Sequence, residues 1–86
     1  MRITFTDTFK RDYKELPQNV KRRANKALQF LATDLSHPSL RAKKIRSRED
    51  IWEASITKSY RLSFQVRGDM CVLRRTGKHE ELLKRP

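Results

Sequence analysis

The apolar residues of the chain follow one period in its first part and another in its second. Arg2 to Phe5 alternate polar and apolar and predict a first strand, after which Thr6 or Asp7 offers a side-chain oxygen to cap a helix. Phe9, Tyr13 and Leu16 then stand at i, i+4 and i+7, one apolar stripe of a short helix. Pro17 breaks that run and suits the first turn of a second helix. There Val20, Ala24, Ala27, Leu28, Leu31 and Leu35 keep helical spacing, while Lys21, Arg22, Arg23, Asn25 and Lys26 take much of the remaining surface. Two helices joined at a proline predict an αα-hairpin. Ser36, His37, Pro38 and Ser39 end the pattern with turn-favouring residues.

From Ile51 onward the period is two, so each strand sorts into faces. Trp52, Ala54 and Ile56 share a face opposite Glu53 and Ser55, and Tyr60, Leu62, Phe64 and Val66 share one opposite Arg61, Ser63 and Gln65. Arg67-Gly68-Asp69 supplies a tight turn into Met70–Arg75, whose apolar residues occur on both faces, as in a more central strand. The expected fold is α+β with the order β-α-α-β-β-β and a short tail. Two amphipathic helices and a sheet apolar on one face can bury their stripes only against each other. Both helices are therefore expected on one face of an antiparallel sheet, leaving Glu53, Ser55, Arg61, Ser63, Gln65 and Arg75 on an open polar face. Eighty-six residues allow a single domain over 1–86 with one small core, because a chain of this length buries only about 60–65% of its unfolded surface.

Charge narrows the partners. Lysine and arginine number 21 against 10 acidic residues, a formal charge of +11, and such a field attracts polyanions. Nucleic acid and an acidic protein both satisfy it. An anionic membrane surface is a third candidate, set aside because no run of about 18 apolar residues is present and no apolar segment follows the start as an export signal would require. The single cysteine, Cys71, excludes an internal disulfide and fits a reducing cytosol, so a cytoplasmic protein is expected. Two histidines, one cysteine and scattered carboxylates offer no metal-ligand spacing, and no cofactor is expected. Arg41, Lys43, Lys44, Arg46 and Arg48 form a basic loop or edge that is a candidate RNA contact, or else an ordinary solvated surface.

The tail Arg75-Thr76-Gly77-Lys78-His79-Glu80-Glu81-Leu82-Leu83 carries the candidate chemistry. A strand ends at an arginine, a glycine permits a bend, and a histidine follows. Cutting RNA without a metal needs a group to take the 2′-OH proton, one to protonate the leaving 5′ oxygen, and cations to hold charge on the phosphate. His79 suits proton transfer because imidazole titrates near neutral pH. Arg61 and Arg75 suit phosphate binding through planar paired donors, and Glu53 is a candidate proton acceptor. Structural alternatives stand beside these: a solvated or capping His79, an Arg61 paired across strands with Glu53, a Trp52 in the core rather than stacked on a base, and an incidental His37.

The strand order, the Tyr60-Arg61-Leu62-Ser63-Phe64 strand and the Arg75-Thr76-Gly77-Lys78-His79 ending together resemble the RelE/ParE toxin superfamily of bacterial toxin–antitoxin pairs. The tail pattern is most similar to the RelE/YafQ-type messenger-RNA-cutting toxins. That resemblance implies a ribosome-dependent, metal-independent endoribonuclease neutralised by an acidic antitoxin. It places active-site roles on Arg75, His79 and Arg61, with Glu53 or a loop lysine serving where further histidines are missing, and Lys78 among the RNA contacts. Leu83 stands where an aromatic that stacks on the substrate base is expected. The resemblance also admits a ParE-like toxin that poisons DNA gyrase by binding, and a degenerate, non-catalytic protein that only binds RNA or an antitoxin.

Overall fold

The computed structural model describes residues 1–45 and 50–86. Strand β1 (Arg2–Phe5) leads through Thr6 into α1 (Asp7–Lys14), and the Thr6 hydroxyl accepts the Phe9 N–H at 3.1 Å, the cap anticipated for this position. Pro17 occupies the N-cap of α2 (Gln18–Thr33), whose buried face is Val20, Ala24, Ala27 and Leu31. A 3₁₀ turn at Pro38–Leu40 follows. His37 is not incidental there: its Nδ1 accepts the Ser39 N–H at 3.1 Å and its ring stacks on Phe30 with centroids 3.7 Å apart. Strands β2 (Lys43–Lys44), β3 (Trp52–Ser55), β4 (Tyr60–Arg67) and β5 (Met70–Lys78) precede a last helix, α3 (His79–Lys84).

The sheet runs β1-β5-β4-β3-β2. Pairings within β2 to β5 are antiparallel, but β1 joins β5 in parallel, with Ile3 opposite Cys71 and Phe5 opposite Leu73. The sheet is thus mixed rather than wholly antiparallel. β1 and β2 are the two edges of the sheet, so the helices between them carry the chain from one edge to the other. At the β4–β5 turn Gly68 adopts φ +62°, a conformation that costs other residues energy.

Phe9, Leu16, Val20, Ala24, Ala27 and Leu31 meet Ala54, Ile56, Leu62, Phe64, Cys71 and Leu73 in the main core, with Trp52 and Tyr60 packed against it. The faces assigned by counting alternate residues hold, and Trp52 belongs to the core, stacked on Phe64 at 6.4 Å. The opposite face is not open. α3 packs across β4 and β5, and Ile45, Ile51 and Leu82 are buried outside the main core. Glu53 and Ser63, expected on a polar surface, are 3% and 0% exposed. The Ser63 hydroxyl donates to the Pro86 carbonyl at 2.8 Å. A helix of six residues is too short to show a periodic stripe, which is why the tail pattern did not announce this layer. Among the described residues no helix is long and apolar enough to cross a membrane.

Candidate functional site

The C-terminal part of β5 departs from the expected bend. Gly77 continues the strand opposite Arg61, and β5 ends only at Lys78, opposite Tyr60. The chain turns into α3 at His79, whose backbone N–H donates to the Ser59 carbonyl at 2.8 Å. The imidazole meets β3: His79 Nδ1 lies 3.6 Å from Glu53 Oε2, and Lys43 Nζ lies 3.5 Å from Glu53 Oε1. At 3.6 Å the imidazole and carboxylate are within ion-pair reach but beyond a hydrogen bond. Both Nδ1 and Oε2 are buried without a hydrogen-bond partner among the described residues. This juxtaposition leaves a carboxylate facing one ring nitrogen of a histidine whose side chain remains 37% exposed.

The arginines are directed elsewhere. Arg61 does not pair with Glu53, which stands opposite Ser63. One Arg61 terminal nitrogen instead donates to the carbonyls of Thr57, Lys58 and Tyr60, closing the β3–β4 turn. Arg75 reaches α1, donating to Asp12 through Nε at 2.7 Å and Nη2 at 3.2 Å, and this hydrogen-bonded carboxylate raises its pKa further. Two guanidinium groups and one imidazole therefore do not converge on one uncovered surface as anticipated.

Arg74 is a participant that alternation does not reveal. Ser63 pairs with Arg75 and Phe64 with Leu73, so Arg74 is the extra residue of a β-bulge. Its Nε donates to the Pro86 carbonyl and its Nη1 to Gln65 Oε1, both at 3.2 Å. Consecutive arginines where a strand should alternate are the only trace of this in the sequence. The bulge leaves Arg74 and Arg75, with Lys84 and Arg85 of the tail and with Thr6 and Thr8, around a cleft of 590 Å³. Arg75 also lines a 320 Å³ cleft between the end of α1 and α3, with Asp12, Glu15, Thr76 and Glu81. Arg61 lines a third, with Arg41 and Lys58, and His79 lines none of the three.

The remaining expected contacts are spread along the edges. Lys43 and Lys44 form the edge strand β2, the latter 3.8 Å from Asp50. Arg41 is exposed after the 3₁₀ turn with φ +46°, and Lys78 is exposed at the end of β5. Arg46 and Arg48 lie outside the described residues.

The paired helices on one face, the mixed sheet and the short helix on the other define the RelE/ParE toxin fold. The chain belongs to the ParE toxin family of type II toxin–antitoxin systems, parDE, whose model matches residues 3–83. It is similar in structure to YafQ from E. coli strain BL21(DE3), at 18% identity over 95% of this chain and 98% of that one, with a TM-score of 0.81. It is likewise similar to a chain of the RelB-RelE antitoxin-toxin complex from Methanococcus jannaschii, at 22% identity, coverage of 93% and 94% and a TM-score of 0.76. The YoeB/ParE toxin from Agrobacterium tumefaciens gives 14% identity, coverage of 92% and 99% and a TM-score of 0.78. At such identities the likeness is one of fold. No curated protein matches the chain in sequence.

Proposed function

We propose that this chain is the toxin of a type II toxin–antitoxin pair and that it cuts messenger RNA on the ribosome, without a metal, in the cytoplasm. The observation that carries this reading is the buried Glu53 carboxylate facing His79 Nδ1. A carboxylate at that nitrogen favours the tautomer protonated on Nδ1 and leaves Nε2 free to exchange a proton with substrate. In the reaction the 2′-OH attacks the adjacent phosphorus, the bond to the 5′ oxygen breaks, and a 2′,3′-cyclic phosphate and a 5′-OH result. His79 takes the first proton or supplies the second. Glu53 is its positioning residue, Lys43 and Lys78 supply nearby cations, and Arg61 and Arg75 hold the turn and strand end that frame the imidazole. An acidic antitoxin completes the pair. The RelB-RelE and DinJ-YafQ complexes carry related folds together with an antitoxin.

The test is expression without a partner, followed by primer extension on translated messages. Wild type is expected to arrest growth and leave breaks within coding sequence, and His79→Gln to lose both. Glu53→Gln is expected to retain the fold and cut at least tenfold more slowly. Full toxicity and unchanged breaks in a folded His79→Gln variant would end the assignment.

A second reading has its own support. The matching family model is that of ParE, and Arg61 and Arg75 are both engaged by internal acceptors. A toxin that binds DNA gyrase and performs no chemistry needs no convergent site. Intact messages with a DNA-damage response after induction would favour it.

A further inference from the structure

We infer that the chain carries a second RNA-binding surface, a basic track along α2 and the β3–β4 turn that leads a single strand toward His79. Two neighbouring clefts share Ser39, Ser55 and Ile56. One is flanked by Arg22, Arg23 and Lys26 of α2, the other by Arg41, Lys58 and Arg61. Six cations therefore border one continuous groove, and among the described residues no carboxylate lines either cleft.

Three features make this more than a solvated helix face. α2 contains no acidic residue, so the usual exchange of charges along an exposed helix is missing. Among the described residues, the ion pairs engage Arg2, Lys43, Lys44, Arg75 and His79, and none of the six track cations. Five of the six are exposed, and Arg61 fixes the turn from which the last cation, Lys58, projects. Like charges held together without counter-charges repel one another, and a polyanion relieves that repulsion while releasing its own counterions. Arginine predominates, as phosphate recognition favours.

The turn gives the track its direction. Thr57 and Lys58 line the second cleft and present carbonyls to Arg61, while Ser59, the next residue, accepts the His79 N–H. A strand lying along α2 and past Arg41 thus reaches the turn whose other side holds the imidazole. The inference shares with the proposed function the expectation that RNA is bound, and not that it is cut. An acidic protein is the other polyanion of suitable charge, but the markedly apolar groove that such a partner would bury lies elsewhere, between Phe5, Phe9, Tyr13 and Leu28.

The experiment is fluorescence anisotropy with a labelled single-stranded RNA of about 12 nucleotides, long enough to fill several phosphate sites, measured over a range of salt. The triple variant Arg22→Gln, Arg23→Gln, Lys26→Gln is compared with an equal charge loss off the track, Lys10→Gln, Lys14→Gln, Arg67→Gln. The track variant is expected to bind at least tenfold more weakly and to lower the slope of log affinity against log salt by about 2, near 0.7 for each phosphate contact removed. The control variant is expected to keep most of the wild-type slope. Equal losses in both variants would show that net charge alone acts, and poly-glutamate outcompeting RNA at matched charge would show a protein surface; either result overturns the inference. Because binding is read without cleavage, a wild-type protein that binds RNA along the track yet leaves no breaks in translated messages sinks the ribonuclease reading and leaves the track intact.

Discussion

Asp12 and Arg75 join the first helix to the last strand just beyond the point where β1 stops. Asp12 Oδ2 accepts both Arg75 Nε at 2.7 Å and the Thr76 N–H at 3.2 Å. The pair ends beyond Phe5, opposite Leu73, where β5 has lost its parallel neighbour. A carboxylate from a helix thus satisfies a strand amide that would otherwise stand at an open edge.

Asp12→Ala is expected to lower stability by about 1–2 kcal/mol, the loss of a charge-assisted pair and an amide acceptor, reduced by the partial exposure of Arg75. Urea unfolding measures it. Arg75→Ala should cost less, because Asp12 then still accepts the Thr76 N–H. Equal costs would show that the amide contact contributes little.

Leu82→Ala is expected to loosen α3 at a cost of about 2–4 kcal/mol, as for a buried leucine whose cavity does not collapse. Hydrogen exchange should quicken at the His79 amide, which bonds across to Ser59. Protection in α1 should persist up to the global limit. Uniform quickening of both regions would mean that α3 unfolds only with the whole molecule.

Much of this arrangement is legible in the residues themselves. Thr6 caps α1, the Phe9-Tyr13-Leu16 stripe faces inward, and alternation sorts β3 and most of β4 correctly, because local geometry dictates each. Three things are not. The parallel docking of β1 leaves no mark on its alternation, since side-chain period is the same in both pairings. The Arg74 bulge shifts register without changing composition, so Arg75 comes opposite Ser63 only through a residue that alternation does not count. Gly77 suggests a bend, yet its backbone is unexceptional, and of the two glycines it is Gly68, in the β4–β5 turn, that has a positive φ. The site suffers from these omissions: Arg75 is re-aimed beside the bulge, and Glu53 reads as exposed because nothing in a six-residue helix foretells what covers it.

Gly68→Ala is expected to destabilise by about 1 kcal/mol through backbone strain alone. A Cβ there meets nothing within 4 Å, so no clash contributes. A calorimetric change several-fold larger would indicate a rearranged hairpin.

Cys71 should be chemically silent in the native state. It is wholly buried, and desolvation pushes its thiol up to about 11. Alkylation at pH 8 is expected only on unfolding. The linkage follows: because the folded value lies above the unfolded one, near 9.0, stabilisation is full below about pH 9 and is lost as pH rises toward about 11. Comparison with Cys71→Ala across this window should show wild type losing about 2–3 kcal/mol more, at 1.4 kcal/mol per unit. Parallel pH profiles would contradict the burial argument.

The union of β1 with β5 has a consequence for birth as well as for shape. Residues 2 to 5 find their strand partner in residues 70 to 73, so a nascent chain carries an unmated first strand until those later residues have emerged from the ribosome. Contacts so remote in sequence close late. A toxin of this fold would thereby acquire its complete sheet only after residues 70 to 73 have been made.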